Sequence, residues 1–485
     1  MPQDPNTTLQ MSSSKPSLSD LSVSADPVLG KADNQVRDSL ALPSIEGGEE
    51  GVMRPLAWLF GLCAIQQASG ATLLRNDVST VEPLPPTQDP WYRAPPGFEK
   101  KQPGDVLRIR QAPGNLTTVV SNSSAAFHIL FRTTNARSEP AWAVTTLFLP
   151  KKLYRAPSRN AALLSFQLAD NSANPDSAPS LGLYWRLAQD NPMLGLRSDT
   201  SFISNLLSEG WLVNIPDQSG PEAAFGASRQ AGHATIDAIR AIQHLCSLTG
   251  ATGINAAIWG YSGGTFATGA AAELMPTYAP NINIVGAVLG GMVTDVSGGF
   301  DSLNRSPIAA TIIATLLGVT AQFPEERAYL ESRLVPETRD EFMSVLDINV
   351  FDALVHFAGR DIYAFFIDGA ADIEAPILQN LFEAQSRIGF GDIPPMPMFI
   401  YKAIADEVVP IGPTDVTVQR WCDGGADITY ERNTVGGHIA EIENGKPRAI
   451  QWLWSIFDES YSAQSPECRI RDVTVEVPVQ VVGRV

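Results

Sequence analysis

The chain has 485 residues, with 34 Lys+Arg against 52 Asp+Glu, a formal net charge of −18 and 44% hydrophobic residues. A chain this apolar buries a large core, and its acidity argues against binding a phosphate backbone or docking on anionic lipid, both of which need clustered Lys and Arg. Five histidines and four cysteines, scattered without C-x-x-C or H-E-x-x-H spacing, make no dedicated zinc site, so no metal or other cofactor is expected.

Residues 1–52 carry Ser12, Ser13, Ser14, Ser17, Ser19, Ser22 and Ser24 and no sustained apolar period. They read as disordered, or as an extension ahead of the true start. Met53-Arg54 opens the apolar run Pro55–Ile65, and the small residues Ala68, Ser69, Gly70 and Ala71 follow. A basic start, an apolar run of about ten residues and a small-residue site are the three parts of a secretory signal peptide, here spanning 53–71 with Met53 as the start. A buried apolar segment near the terminus is the competing reading. Export would suit the sequons at Asn115-Leu-Thr, Asn122-Ser-Ser and Asn304-Arg-Ser, the last a poorer acceptor because Pro307 follows. Loss of the signal removes Cys63, so Cys246, Cys422 and Cys468 allow at most one intramolecular disulfide and leave one thiol over.

From Leu163 short apolar runs alternate with helical stretches. The strands expected are Ala162–Gln167, Trp211–Ile215, Ile254–Trp259, Ile284–Leu289, Met398–Lys402 and Ile428–Glu431, most of them bounded by Gly, Pro or Asp as buried parallel strands are. A helix is expected over Ala231–Leu248, with Ile236, Ile239, Ile242 and Leu245 on one stripe. Such alternation implies an α/β sheet covered by helices on both faces. From 296 to 390 the rhythm becomes helical, then strands resume at Met398. A helical block set inside an α/β domain is a cap, so the expected organisation is a core of 85–295 plus 391–470 with a cap at 296–390.

The strand Ile254–Trp259 runs into Gly260-Tyr261-Ser262-Gly263-Gly264 and then a small-residue helix. Strand, G-x-S-x-G and helix together expose a serine on a strained turn, with glycines where bulk would clash. The backbone N–H of Gly263 would face a developing oxyanion. A serine hydroxyl needs a base and an orienting acid, and in this arrangement the acid and then the histidine follow the serine in sequence. Two histidines follow Ser262. His356 lies in the helical block. His438 lies in a loop after the strand Ile428–Glu431, where α/β sites are built. Asp406 stands at the end of the strand before it, with Glu407 and Asp415 as competitors. The triad expected is therefore Ser262, Asp406 and His438.

Several stretches together resemble the fungal secretory lipase family over roughly residues 88–468. They are Pro90-Trp-Tyr, Arg132-Thr-Thr-Asn135, Ser165–Ser172, Gly260–Gly264, Tyr278–Gly286, Asp406-Glu-Val-Val-Pro410 and the Gly437-His438 loop. The resemblance implies an α/β-hydrolase fold with a mostly helical cap, acting on carboxylic esters through the same triad. It implies a second oxyanion donor at Asn171, with Asp170 in reserve, although the acidic residue stands one position early here. It also implies a disulfide between Cys422 and Cys468, whereas a second family cysteine is Ser177 in this chain. The function expected is that of a secreted lipase or esterase, with deacylation or acyl transfer on a secondary metabolite as the alternative and a non-catalytic binding protein of the same fold less favoured. The partner expected is a small ester or lipid substrate, with at most transient contact with a lipid interface. No nucleic acid and no stable protein partner are implied.

Overall fold

The computed structural model describes residues 82–114, 116–188, 196–461 and 467–477. The readings made for 1–52 and 53–71, and the sequon asparagine Asn115, lie outside the described residues. Ten strands form one sheet: β1 (Val106–Gln111), β2 (Ser123–Thr134), β3 (Pro140–Pro150), β4 (Ala161–Gln167), β5 (Leu212–Pro216), β6 (Ile254–Tyr261), β7 (Ile284–Gly290), β8 (Met398–Ala403), β9 (Ile428–Asn433) and β10 (Cys468–Val473). Their spatial order is β1-β2-β3-β5-β4-β6-β7-β8-β9-β10. The first three form an antiparallel meander that joins β5 antiparallel through β3. From β5 to β10 every neighbouring pair is parallel. All six expected strands are present; β1 to β3 and β10 are additions to them.

The parallel strands are buried on both faces because helices cover both. In β6, Ala256 and Ile258 join Ile236, Ile239 and Ile242 of the helix Ser228–Gln243 on one side. Ala257 and Trp259 face Leu453 and Phe457 of the helix His438–Phe457 on the other. That two-residue alternation is the pleat of a strand with a core on each side. The first of these helices stops at Gln243, and a separate turn, Cys246–Thr249, follows it, so Leu245 falls outside the expected single helix. A buried polar chain crosses the sheet beneath the strand ends. Ser165 Oγ accepts from Asn214 Nδ2 at 3.0 Å and from Gln167 Nε2 at 2.8 Å, and Thr268 Oγ1 donates to Gln167 Oε1 at 2.9 Å. Every member is satisfied within the chain, which fixes β4, β5 and the helix Thr265–Tyr278 in one relative register.

Between β7 and β8 the chain leaves the sheet. Residues 291–397 form the helices Ala310–Val319, Pro324–Ser332, Arg339–Met343, Val350–Phe357 and Pro376–Gln385. They carry their own apolar cluster, in which Leu316, Leu317, Phe342, Phe357 and Phe382 are almost wholly buried together with Phe225 and Phe266. Asp295 and Arg387 hold the two ends of this excursion together, by a β-bridge and by an ion pair at 2.8 Å.

Cys422, in the helix Ile411–Asp423, is bonded to Cys468 at the start of β10, with 5.6 Å between Cα atoms. β10 is mostly exposed and rich in charge, so the bond fastens an edge strand that has little apolar surface to hold it. Closing a separation of 46 residues contributes roughly 4 kcal/mol on the chain-entropy model. In the full chain Cys246 is disulfide-bonded rather than free; the leftover thiol is expected of the processed chain, from which Cys63 has been removed. Among the described residues no helix is long and apolar enough to cross a membrane, and no cluster of His, Cys, Asp and Glu is placed to hold a metal ion.

Candidate active site

Ser262 follows the last residue of β6 and begins a tight turn, Ser262–Gly264, that leads into the helix Thr265–Tyr278. Its φ is +50°, in the left-handed region. For a residue with a side chain that conformation costs about 1–3 kcal/mol, and it persists only where the surroundings enforce it. They do so here by close packing. A Cβ on Gly260 would lie 2.4 Å from the carbonyl oxygen of Gly264, and one on Gly264 would lie 2.1 Å from that of Gln167. Strand, turn and helix therefore meet with no room for side chains on either side of the serine, which lifts Oγ off the sheet.

His438 is the first residue of the helix His438–Phe457, after β9, and Asp406 stands in the loop after β8. His438 Nε2 lies 2.8 Å from Ser262 Oγ, and Nδ1 lies 2.9 Å from Asp406 Oδ2. The other oxygen, Asp406 Oδ1, accepts the N–H groups of Val408 at 3.1 Å and Val409 at 2.8 Å. Burial pushes the Asp406 carboxyl up. The hydrogen bond from His438, the charges of His438 and Lys402 and the Val409 N–H outweigh it and hold the carboxyl below its ordinary value. Asp406 is thus an anion aimed at the imidazole, which fixes the proton on Nδ1 and leaves Nε2 free to accept one from serine.

The two competitors of Asp406 do other things. Glu407 Oε2 accepts the backbone N–H of His438 at 2.8 Å, so it anchors the histidine's main chain rather than its ring. It lies so close that a Cβ on Gly437 would stand 2.0 Å from it. Asp415 accepts the Tyr430 hydroxyl at 2.9 Å. Tyr261, next to the serine, donates to the carbonyl of His438 at 2.5 Å. His356 is far from this arrangement in role: its half-exposed ring meets Glu341 at 3.0 Å on the helical excursion. The parts played by Glu407 and Tyr261 were not foreseen from sequence. They depend on how two loops fold against each other, and the only visible trace was a second acid directly after Asp406.

Asn171 follows β4 at φ +44° and abuts Gly263, its Oδ1 2.4 Å from the place a Cβ on that glycine would take. Asp170 is buried and turned into the body, where Oδ2 accepts the Ser219 hydroxyl at 2.7 Å. The structure thus brings Ser262, Gly263, Asn171, Asp406 and His438 together and directs the Asp170 side chain elsewhere. Of the described sequon asparagines, Asn122 uses its Nδ2 on the Ser204 carbonyl at 3.1 Å, and Asn304 uses its own on Asp361 at 2.8 Å. A glycan at either would have to displace that bond.

A cavity of about 150 Å³ opens onto Ser262, His438 and Asn171, with Ile308, Val350 and Leu354 of the helical excursion also in its wall. A second cavity of about 170 Å³, beside Tyr92, Trp142 and Asp217, contains none of the triad.

Comparison with known proteins points the same way. The profile of the secretory lipase family matches residues 189–464. Trichothecene C-3 esterase of Fusarium sporotrichioides is 40% identical over 430 residues, covering 86% of this chain and 92% of that protein. Lipase A of Arthroderma benhamiae is 33% identical, covering 76% of this chain and 79% of that one. The solved structure of Candida antarctica lipase A in its closed state superposes with a TM-score of 0.71 at 26% identity, covering 80% of this chain and 90% of that chain.

Proposed function

Because the chain belongs to the secretory lipase family and is a carboxylic ester hydrolase of the α/β-hydrolase fold, we propose that it opens short-acyl esters through an acyl-enzyme on Ser262. The observation that carries this reading is the unbroken hydrogen-bonded chain from Ser262 Oγ through both nitrogens of His438 to Asp406. His438 Nε2 takes the serine proton as Oγ attacks the ester carbonyl. The backbone N–H of Gly263 and Asn171 receive the oxyanion. His438 then protonates the leaving alcohol and draws a proton from the water that releases the acid.

The short-acyl assignment rests on size. The free space beside Ser262 is modest, about 150 Å³. One relative is named an esterase and others are named lipases, so chain length is decided by the substrate profile. On p-nitrophenyl esters from acetate to palmitate, kcat/KM should peak between acetate and hexanoate and fall at least about 10-fold by palmitate. Each methylene that fits gains about 0.8 kcal/mol of burial, whereas those beyond the free space stand in water or must displace the wall. A rise towards palmitate at an oil–water interface would sink the short-acyl assignment. One observation favours that second reading, action at a lipid surface: Ile439, in the cavity wall, is 60% exposed, as is Val355 beside the wall residue Leu354.

Two finer points belong to the same proposal. Residues 296–390 serve as the cap that shapes the acyl site, supported by the excursion's contribution to the cavity wall. The protein is exported through a signal peptide that starts at Met53, supported by the basic-apolar-small pattern and by the family's secretory character. N-terminal sequencing of extracellular protein should give a start near residue 70–72. Recovery of Met1 outside the cell would overturn the export reading.

A further inference from the structure

β8 has the sequence Met398-Phe-Ile-Tyr-Lys-Ala403, all buried, and its one charged residue is Lys402. The Lys402 side chain is 0% exposed. A lysine in such a place costs several kcal/mol in desolvation unless it is paired and hydrogen-bonded. Its Nζ donates to the carbonyl of Met292 at 2.8 Å and lies 3.4 Å from Asp406 Oδ2, the same oxygen that receives His438 Nδ1. The Met292 carbonyl accepts a second bond, from Thr414 Oγ1 at 3.1 Å. Lys402 thus links three parts of the site: the segment after β7, the strand β8 and the acid loop that follows it.

We propose that Lys402 is a positioning residue of the triad, whose buried ammonium keeps the Asp406 carboxylate ionised and turned so that Oδ2 faces His438, while tethering that loop to the end of β7. The inference rests on the triad reading above. The charged and titratable groups that face this lysine are few. Asp406 is the contact, and Asp415, on the helix Ile411–Asp423, acts on it from further away. Asp415 is itself engaged by the Tyr430 hydroxyl at 2.9 Å and by Arg432 of β9 at 3.5 Å. On the other side of Asp406 stands His438, with Glu407 on its main-chain N–H.

The physical consequence is a competition for one oxygen. When a proton joins the pair formed by Asp406 and His438, the new positive charge must share Oδ2 with the ammonium of Lys402. The lysine therefore opposes protonation of the pair, whichever member holds the proton. It keeps the base in its working form as the pH falls. Burial, against the pull of Asp406, pushes the lysine itself down to about 8. Above that pH the ammonium loses its proton, and its hold on the carboxylate weakens.

The test is a pH profile of kcat and kcat/KM on soluble p-nitrophenyl butyrate for the parent, Lys402→Met and Lys402→Gln. In both variants the acid limb should move up by about one pH unit, since a cation within ion-pair distance has been removed. Plateau kcat should fall about 10- to 100-fold with KM within about threefold, because an acid misplaced by a fraction of an ångström misorients the base. An acid limb that stays with the parent in both variants overturns the inference whatever happens to the rate, since a lysine that only braces the strand would leave proton affinity at the triad untouched. If neither variant folds, the parent decides. Its inactivation by an organophosphonate should slow on the alkaline side as the lysine, pushed down by burial, loses its proton, and a rate that stays flat up to the ordinary lysine value of about 10.4 overturns the inference. A Ser262→Ala control separates the two levels: turnover surviving in it condemns the triad reading, whereas loss of turnover there with an unmoved limb in the lysine variants condemns only the role of Lys402.

Discussion

Ser262→Ala is expected to lower kcat by roughly 10⁴- to 10⁶-fold and to abolish labelling by an organophosphonate. The size follows from the geometry. The hydroxyl 2.8 Å from His438 Nε2 is the atom that forms the acyl-enzyme, and nothing else in the turn can replace it. What survives is the binding and the oxyanion site, which accelerate the attack of water only weakly. Alanine keeps the left-handed backbone of the turn and buries no new polar group, so the melting temperature should move by no more than a few degrees. Turnover in the alanine variant within tenfold of the parent, measured on p-nitrophenyl butyrate, would show that the nucleophile lies elsewhere.

The second large effect is at the acid. Asp406→Asn is expected to cost about 10⁴-fold in kcat while leaving the fold intact. The amide is the same size and can still accept from Val408 and Val409 through its oxygen. Its nitrogen, however, then faces His438 Nδ1 and donates where the carboxylate accepted. The imidazole answers by placing its proton on Nε2, which can no longer accept one from serine. Lost activity should be insensitive to substrate chain length, since the acid does not touch substrate. Asp415→Asn, which alters a group bonded to Tyr430 and not to the imidazole, should retain most of the parent's rate. If the two asparagine variants exchange these results, the acid has been misassigned.

The parallel half of the sheet was legible because strands buried on both faces must be apolar at every position, and runs such as Ile254–Trp259 have few other uses. The meander was harder to read. β2 is Ser-Ser-Ala-Ala-Phe-His-Ile-Leu-Phe-Arg-Thr-Thr, in which a buried His128 and Thr133 stand among apolar residues. The Thr133 hydroxyl donates to Asp237, 104 residues away, and His128 Nδ1 meets Arg110 at 3.3 Å. β10 carries two arginines and an aspartate and is held by its pairing with β9 and by the disulfide, neither of which has an apolar signature. In the site, Ser262, Asp406 and His438 could be found because each occupies a fixed place at the end of a strand. Glu407 could not be told from a rival to Asp406, since the choice turns on which of two adjacent carboxylates meets a ring and which meets a backbone N–H. Lys402 closed the expected strand Met398–Lys402 and drew no notice there, since its meaning depends on where the Met292 carbonyl and Asp406 lie.

The three triad residues are delivered by the ends of β6, β8 and β9, and neighbouring strands stand at a spacing of about 4.8 Å set by the backbone alone. The helical excursion departs and returns within that frame. Ala287 of β7 is paired with Met398 of β8, and Asp295 is clasped to Arg387 just beyond. Substitutions, insertions or deletions among the helices between those anchor points therefore leave the reactive atoms where they are. Descent with modification can act on one part without disturbing the other: a lineage can change which ester it recognises many times over while inheriting the same hydrolytic machinery unaltered.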